Sequence, residues 1–299
     1  MARPGARAVG VANRSLVATR RRRSTLAARA LASVAMGLFV AATGVTMFGP
    51  IVWMAISGLK AQEEVITLPP TLLPSAWHFE NYLTVLESSP LGRGYLNSFV
   101  VAGLVTIAQV GTSTVGGYAF AKLRFPWREP LFLGLLATMM IPGFLTQIPL
   151  FVLVNSFGWL NTLTALIAPF LCSAFGLFMM RQYILNLPME MIDSARIDGA
   201  GEISIIYRII LPLVREAASA LAIFVFIWNW DQLFWPMLVA RQQHIYTVPL
   251  ALLYMTGVYG TYEHLQMAGA TLAILPPMIM FLLMQRRIVR GVTLTGLKG

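Results

Sequence analysis

The sequence predicts an all-α integral membrane protein with six transmembrane helices, and three observations support this fold class. The chain has 299 residues, of which 57% are hydrophobic and 11% are charged. Its mean hydropathy of +0.71 is far above that of a soluble domain. Long stretches carry no charged residue, and basic residues concentrate on alternate connecting segments, as the orientation rule for membrane proteins requires.

The number of spans follows from the lengths of the uncharged stretches, because a span needs about 20 apolar residues. These stretches cover residues 31–59, 94–121, 130–180 and 265–285, and residues 217–240 contain one charge, Asp231. The stretch 130–180 is long enough for two helices and is divided at residues 156–162. The predicted spans are therefore 31–58, 94–119, 130–153, 163–184, 214–237 and 264–286.

Charge placement predicts that both termini lie in the cytoplasm. With that orientation, 19 of the 22 Lys and Arg residues fall on inner segments, which leaves Lys60, Arg93 and Arg241 outside. The positive-inside rule favours this topology. It also accounts for the net charge of +10 without a nucleic-acid partner, since the basic residues are split among four inner segments rather than forming one stripe.

The predicted domains are a basic, disordered N-terminal segment at 1–29, one membrane domain at 30–287 and a cytoplasmic tail at 288–299. A cleavable signal peptide is the competing interpretation of the N-terminus. However, the apolar stretch 31–59 exceeds the length of about 7–15 residues that a signal core has, which favours a first span with an inner anchor.

The chain offers no candidate for catalysis or for metal binding. Cys172 is the only cysteine, and the three histidines are isolated from one another in the sequence, so no ligand spacing is present. The sequence contains no G-x-x-x-x-G-K-[ST] phosphate loop and no nucleophile–base constellation. We therefore expect no catalytic residue, no metal site and no cofactor bound by this chain.

The inner segment 188–212 has the pattern helix, glycine turn, helix. Pro188 suits the first turn of a helix, and Glu190 and Asp193 place negative charge near its positive end. Gly199 permits the left-handed conformation of a tight turn. Apolar stripes at helical spacing are formed by Met191, Ile192 and Ala195, and by Ile205, Ile206, Ile209 and Ile210. Such an amphipathic pair needs a protein groove to cover it, unless it is an ordinary interfacial hairpin.

This segment closely resembles the EAA loop of ABC importer permeases, in which Glu-Ala-Ala is followed by Asp-Gly-Ala and a Leu-Pro ending. Asp193-Ser194-Ala195 stands in place of Glu-Ala-Ala, Asp198-Gly199-Ala200 matches directly, and Leu211-Pro212 fits the ending. The resemblance implies the type I importer permease fold, with this loop as the helix that docks into a cytoplasmic ATPase. The residues it implicates in coupling are Glu190, Asp193, Ser194, Ala195, Asp198, Gly199, Ala200, Leu211 and Pro212.

Beyond the loop, the chain resembles carbohydrate-importer permeases of the MalG type from about residue 45 to its end. Among the motifs that carry this are Asn97-Ser98, Ile141-Pro142 and Thr247-Val248-Pro249. The resemblance implies a permease subunit of an ATP-driven, binding-protein-dependent importer of di- or oligosaccharides or amino sugars in a bacterial inner or plasma membrane. It implies that the tail end, Lys298 and Gly299, reaches the ATPase.

The implied partners are a second homologous permease, two ATPase subunits that hold ATP and Mg, an extracytoplasmic binding protein and membrane lipid. An alternative cargo is a glycerophosphodiester or another polar solute. A transporter that needs no ATPase is the alternative from another class, and it predicts internal repeats or several intramembrane charges. The chain has one intramembrane acid.

That acid, Asp231, stands near the outer end of the fifth predicted span and has two interpretations. A lone acid inside a span is a functional candidate, which favours a sugar-facing or gating role. Alternatively, the segment anchors or docks at the interface, where Trp228, Trp230 and Trp235 would form an aromatic belt. The candidate pathway or docking residues are Asn97, Trp230, Asp231 and Gln232.

Overall fold

The computed structural model describes residues 32–258 and 262–296, with side chains for 32–255 and 262–285. Every regular element in these residues is a helix, which confirms the predicted fold class. The chain divides into two compact units, residues 1–55 and residues 56–299. The predicted N-terminal segment 1–29 and the tail residues Lys298 and Gly299 lie outside the described residues.

Fifteen helices are numbered here in chain order. The first half of the chain forms α1 (Ala32–Ser57), α2 (Gln62–Val65), α3 (Glu80–Ser88), α4 (Leu91–Lys122), α5 (Arg128–Thr138), α6 (Gly143–Ser156) and α7 (Leu163–Ile167). The second half forms α8 (Ala174–Leu185), α9 (Met189–Ile197), α10 (Glu202–Ile205), α11 (Leu211–Leu213), α12 (Arg215–Trp230), α13 (Phe234–Val239), α14 (Val248–Val258) and α15 (Glu263–Gly296). A 3₁₀ turn at Ala168–Phe170 follows α7, and a π-helical turn at Ile206–Ile210 joins α10 to α11.

Three helices, α1, α4 and the part of α15 up to Gln285, are long and apolar enough to span a membrane unbroken. Three further candidates are pairs of helices bent at a short break, so that up to six spans are present in the described residues. This count agrees with the prediction. The bends are 96° between α5 and α6, 40° between the α7 segment and α8, and 86° between the α10–α11 segment and α12. The 96° bend ends at Pro142, whose ring cannot continue the preceding helix.

One feature of the outer segments differs from the sequence prediction. Residues 238–263, predicted as an outer loop, contain the apolar helix α14 (Val248–Val258). It was missed because 11 residues extend only about 16 Å at 1.5 Å per residue, well short of a span. Helix α15 continues into the predicted tail as far as Gly296, and the cytoplasmic position of this tail stays a prediction.

The core of the second unit is built around α4, which packs against α8 and α12. Close approach of α4 and α8 depends on Gly117. A Cβ atom at this position would lie 2.8 Å from the backbone nitrogen of Arg181 and 2.8 Å from the Cβ of Met180. Small residues at a helix contact allow membrane helices to approach closely, and Gly117 has this role here.

We expect Gly117→Ala to destabilise the protein by about 1–3 kcal/mol, because the added methyl group overpacks a contact with backbone atoms. The expected fall in the midpoint of thermal unfolding is about 2–4 °C per kcal/mol for a chain of this size, measured in detergent by size-exclusion chromatography after heating. Gly103→Ala on the same helix is the matched control, since a Cβ there meets nothing within 4 Å. Equal stability of the two variants would contradict the close-packing role.

Candidate functional site

The segment 188–212 folds as the sequence predicts, as two short helices joined by a glycine turn. Helix α9 begins after Pro188, which is its N-cap rather than its first helical residue. Gly199 has a φ of +82°, a conformation that favours glycine. The backbone N–H of Ala200 donates a hydrogen bond to the carbonyl of Ala195 at 2.9 Å, which closes the turn.

The apolar stripes of the two helices pack into the chain's own core. Ile192, Ile205 and Ile210 are at most 1% exposed, and Ala195 and Ile206 are also buried. The groove predicted to cover this face is therefore supplied by the protein itself. The prediction is wrong for Met191, which is 39% exposed and points away from the core.

The outward face of this segment is unusually apolar around its turn. Ile197, at the end of α9, is 87% exposed, and Ile203, in α10, is 65% exposed. These two side chains and Met191, here called the exposed apolar face, lie outside the buried core of the described residues. Their exposure makes these side chains candidates for an intermolecular contact.

The nine residues that the motif predicts divide between these two faces. The exposed ones are Glu190, Asp193, Ser194, Asp198, Gly199 and Pro212, whereas Ala200 and Leu211 are half-buried and Ala195 is buried. Ser194 donates a hydrogen bond from its hydroxyl to the carbonyl of Glu190 at 2.8 Å. Six of the nine are accordingly placed where a partner can reach them.

A polar network braces the turn. Arg196 Nε donates to Glu202 Oε1 at 2.9 Å across the turn, and Arg196 Nη1 lies 3.3 Å from Asp193 Oδ1. The hydroxyl of Tyr118, a residue of α4, donates to Glu202 Oε2 at 2.6 Å and accepts from Arg196 Nη2 at 3.3 Å. The hydrogen bond to Glu202 raises the pKa of Arg196, so the guanidinium stays charged at every physiological pH.

Sequence reasoning missed this network and a second tether beside it. Tyr118 is 0% exposed, so the network joins the turn to the middle of the core. Lys122, the last residue of α4, donates from Nζ to the carbonyl of Leu187 at 2.6 Å. Both tethers attach the segment to α4. The available signal was the pair Arg196 and Glu202, of opposite charge on either side of the glycine turn.

The second candidate region is a cleft beside Asp231. Helix α12 ends at Trp230, and α13 begins only at Phe234. Asp231 and Gln232 line a cleft of about 530 Å³ together with residues at the start of α6, among them Phe144 and Gln147. The chain thus places two of the four predicted pathway or docking residues at one cleft.

The other two predicted residues serve the core. Trp230 is 1% exposed, and its indole N–H donates to the carbonyl of Ala273 at 3.0 Å. The Asn97 amide donates to the carbonyls of His244 and Tyr246, both at 2.9 Å, and so fastens the segment before α14. Their assignment to a pathway remains a prediction.

The aromatic-belt interpretation is wrong for two of its three tryptophans. Trp230 and Trp235 are 1% and 2% exposed, and Trp235 donates from its indole nitrogen to the carbonyl of Ala165 at 2.9 Å. Neither ring faces a membrane interface. Trp228 is 70% exposed and is the one tryptophan of the three that lines the cleft.

Comparisons with known proteins agree with this architecture. A family model described as "Binding-protein-dependent transport system inner membrane component" matches residues 113–294. The arabinooligosaccharides transport system permease protein AraQ of Bacillus subtilis (strain 168) is 31% identical over 269 residues, which are 89% of this chain and 96% of that protein. The sn-glycerol-3-phosphate transport system permease protein UgpE of Yersinia pestis is 33% identical over 236 residues, 76% of this chain and 84% of that protein.

A solved structure supports the fold. It belongs to a bacterial ABC transporter involved in the import of the acidic polysaccharide alginate, and the match has a TM-score of 0.74. It covers 85% of this chain and 95% of that chain at 21% sequence identity.

We expect Tyr118→Phe to loosen the turn without unfolding the protein. The change removes a hydroxyl that is hydrogen-bonded to the carboxylate of Glu202. The free energy of local opening of the turn should therefore fall by about 1 kcal/mol, which raises the equilibrium constant for opening about fivefold. Hydrogen–deuterium exchange of peptides from 189–213 should accelerate accordingly. Tyr95→Phe is the control, because it makes the same chemical change on α4, distant in sequence from the turn; equal acceleration in both variants would rule out the brace.

Proposed function

The chain belongs to the family of binding-protein-dependent transport system inner membrane components, and on this premise we propose that it is the permease subunit of an ATP-driven sugar importer. The segment 188–212 couples ATP hydrolysis in a partner subunit to movement of the spans. The permease holds no nucleotide itself, since its sequence contains no phosphate loop.

The observation that carries this proposal is that the segment 188–212 has one face buried in the core and another that is exposed and apolar. One face is locked into the core by Ile192, Ile205 and Ile210. The opposite side presents the exposed apolar face, and the Arg196–Glu202 pair holds the turn between the two helices at 2.9 Å. A surface that is rigidly attached to the spans and apolar toward the outside can receive a partner's motion and transmit it.

The proposed partners follow from the division of labour. Two cytoplasmic ATPase subunits bind ATP and Mg and dock on the segment 188–212, and the tail end at Lys298 and Gly299 reaches them as well. A second, homologous permease completes the translocation path, and an extracytoplasmic binding protein delivers the solute. The distribution of basic residues supports cytoplasmic N- and C-termini.

The proposed cargo is a di- or oligosaccharide or an amino sugar. Support comes from the relative whose name specifies arabinooligosaccharides. The second candidate is a phosphorylated polyol, which is favoured by the relative whose name specifies sn-glycerol 3-phosphate. The two candidates differ in charge, and the lining of the cleft bears on that difference.

Ile197→Glu tests the docking surface. The side chain is 87% exposed, so we expect the variant to fold normally but to lose the ATPase, because a carboxylate cannot be desolvated in an apolar contact. The measurement is co-purification of the ATPase with the tagged permease from cells that express the whole importer. Asn186→Glu, at an exposed polar position of the preceding inner turn, is the matched control. Undiminished co-purification with Ile197→Glu would refute the assignment of this face.

Gly199→Val tests whether the shape of the turn matters for coupling. A β-branched residue is strained by about 1–2 kcal/mol or more at positive φ, although no atom lies within 4 Å of the added Cβ. We expect ATP hydrolysis to continue while solute uptake per ATP falls severalfold in the reconstituted importer. Gly201→Val adds the same side chain two residues away, where φ is −72°. The proposal fails if both variants keep the wild-type uptake per ATP.

A further inference from the structure

The cleft beside Asp231 lies where two helix breaks meet. The start of α6, just after the 96° bend, supplies one wall, and the break between α12 and α13 supplies the other. The rings of Phe144 and Phe234 join the walls, with centroids 5.9 Å apart in an edge-to-face arrangement. The volume of about 530 Å³ falls within the range of about 300–1,000 Å³ that small-molecule sites have.

This cleft holds one buried hydrogen-bond acceptor that is unsatisfied and one exposed carboxylate. The side-chain oxygen Oε1 of Gln147 is buried and has no hydrogen-bond partner among the residues that the structure describes. Asp231 forms no ion pair within the same residues, although its carboxylate lines the cleft. A buried acceptor without a donor is unfavourable, so a bound molecule that donates hydrogen bonds would be stabilised here.

The cleft is better suited to water than to lipid. Interrupted backbone and a carboxylate are tolerated at membrane depth only where protein covers them or where they line a water-filled cavity. Both walls are interrupted helices, and Asp231 is exposed. The cleft is accordingly hydrated, and a polar solute can enter it.

Aromatic surface stands beside these acceptors. Trp228 and Phe144 are 70% and 72% exposed, and both line the cleft. A sugar ring has one or two apolar faces of C–H groups and a rim of hydroxyl donors. It can therefore stack on an aromatic ring while its hydroxyls donate to Asp231 and Gln147, and the amide of Gln232 can pair with further hydroxyls.

The charge of the lining discriminates between cargoes. Among the described residues none that lines the cleft is basic, and Asp231 contributes a negative charge. A phosphate or a uronic acid would find no cation to pair with and would be repelled by the carboxylate.

We propose that this cleft is a cargo-binding site of the permease, which takes a neutral, hydroxyl-rich solute, such as one ring of an oligosaccharide, and disfavours anionic solutes. This inference rests on the proposed function, because it assumes that the chain lines a translocation path. It assigns to this chain a direct contact with the cargo and not only a coupling role.

The test is a titration of the assembled importer in lipid nanodiscs, without ATP or the binding protein, followed by tryptophan fluorescence. The probes are arabinotriose (neutral), sn-glycerol 3-phosphate (anionic) and spermidine (cationic). We expect a saturable response to arabinotriose alone. Trp228→Phe should abolish the response, whereas Trp127→Phe should keep it, since Trp127 is 75% exposed on the turn before α5 and is not among the residues that line the cleft.

Two substitutions that preserve side-chain size test the acceptors. Asp231→Asn should weaken arabinotriose binding by about fivefold to tenfold, because a hydroxyl then donates to a neutral oxygen in place of a carboxylate. Gln147→Leu should weaken it by a similar factor, because the acceptor is removed. Asp231→Asn should also raise the affinity for sn-glycerol 3-phosphate, because the repelling charge is removed. A merely structural role would not reverse this preference for charge.

Several results would overturn the inference. These are no response of the wild type to millimolar arabinotriose, a response that survives in Trp228→Phe, and tighter binding of either charged probe than of arabinotriose. Loss of the second permease from purified Trp228→Phe or Asp231→Asn complexes would show a subunit contact instead. Co-purification of the ATPase in the Ile197→Glu experiment does not depend on the cleft. Failure of the proposed coupling function and failure of the proposed cargo site can therefore be distinguished.

Discussion

The requirement that every backbone polar group inside a membrane be hydrogen-bonded determines most of this structure. It leaves helices as the spanning element for a single chain of this composition, and it makes each interruption of a helix unfavourable unless other groups cover it. The break before α8 is covered locally, since the hydroxyl of Ser173 accepts a hydrogen bond from the backbone N–H of Gly176 at 3.3 Å. The breaks before α6 and after α12 instead lie side by side at the cleft. Two of the helix breaks in the described residues thus lie next to polar side chains.

Much of the fold could be predicted from the sequence because hydrophobic length and charge asymmetry are local properties. The turns at 123–127 and 157–162 fall where composition places them. The sharp bend at Pro142 could not be predicted, because averaged hydropathy contains no information on the direction of a helix axis. A proline is compatible with both a mild kink and a complete break of the helix. Helix α14 escaped because a short apolar helix and an apolar loop have the same composition.

In the segment 188–212, too, features set by neighbouring residues were predictable from the sequence and contacts between distant residues were not. Gly199 and the buried stripes were predictable, since turn chemistry and helical periodicity act over a few residues. The polar network that braces the turn was not predictable, because Tyr118 is 78 residues from Arg196 and 84 residues from Glu202 in the sequence. The aromatic-belt interpretation of Trp230 was wrong for a related reason. The position of Trp230 in the sequence suggested a membrane interface, whereas the carbonyl that accepts its indole N–H is 43 residues away. Which face of a helix is covered depends on partners that a single sequence does not reveal.

One helix connects the two candidate sites. Helix α12 starts at Arg215, three residues after the segment 188–212 ends, and it finishes at Trp230, next to Asp231. Its 16 residues extend about 24 Å at 1.5 Å per residue. In the proposed mechanism, displacement of the segment 188–212 passes through the 86° bend at its junction with α12 and reaches, along this helix, the wall of the cleft that carries Asp231. The break after Trp230 separates α12 from α13, whose Trp235 donates from its indole nitrogen to the carbonyl of Ala165 at 2.9 Å.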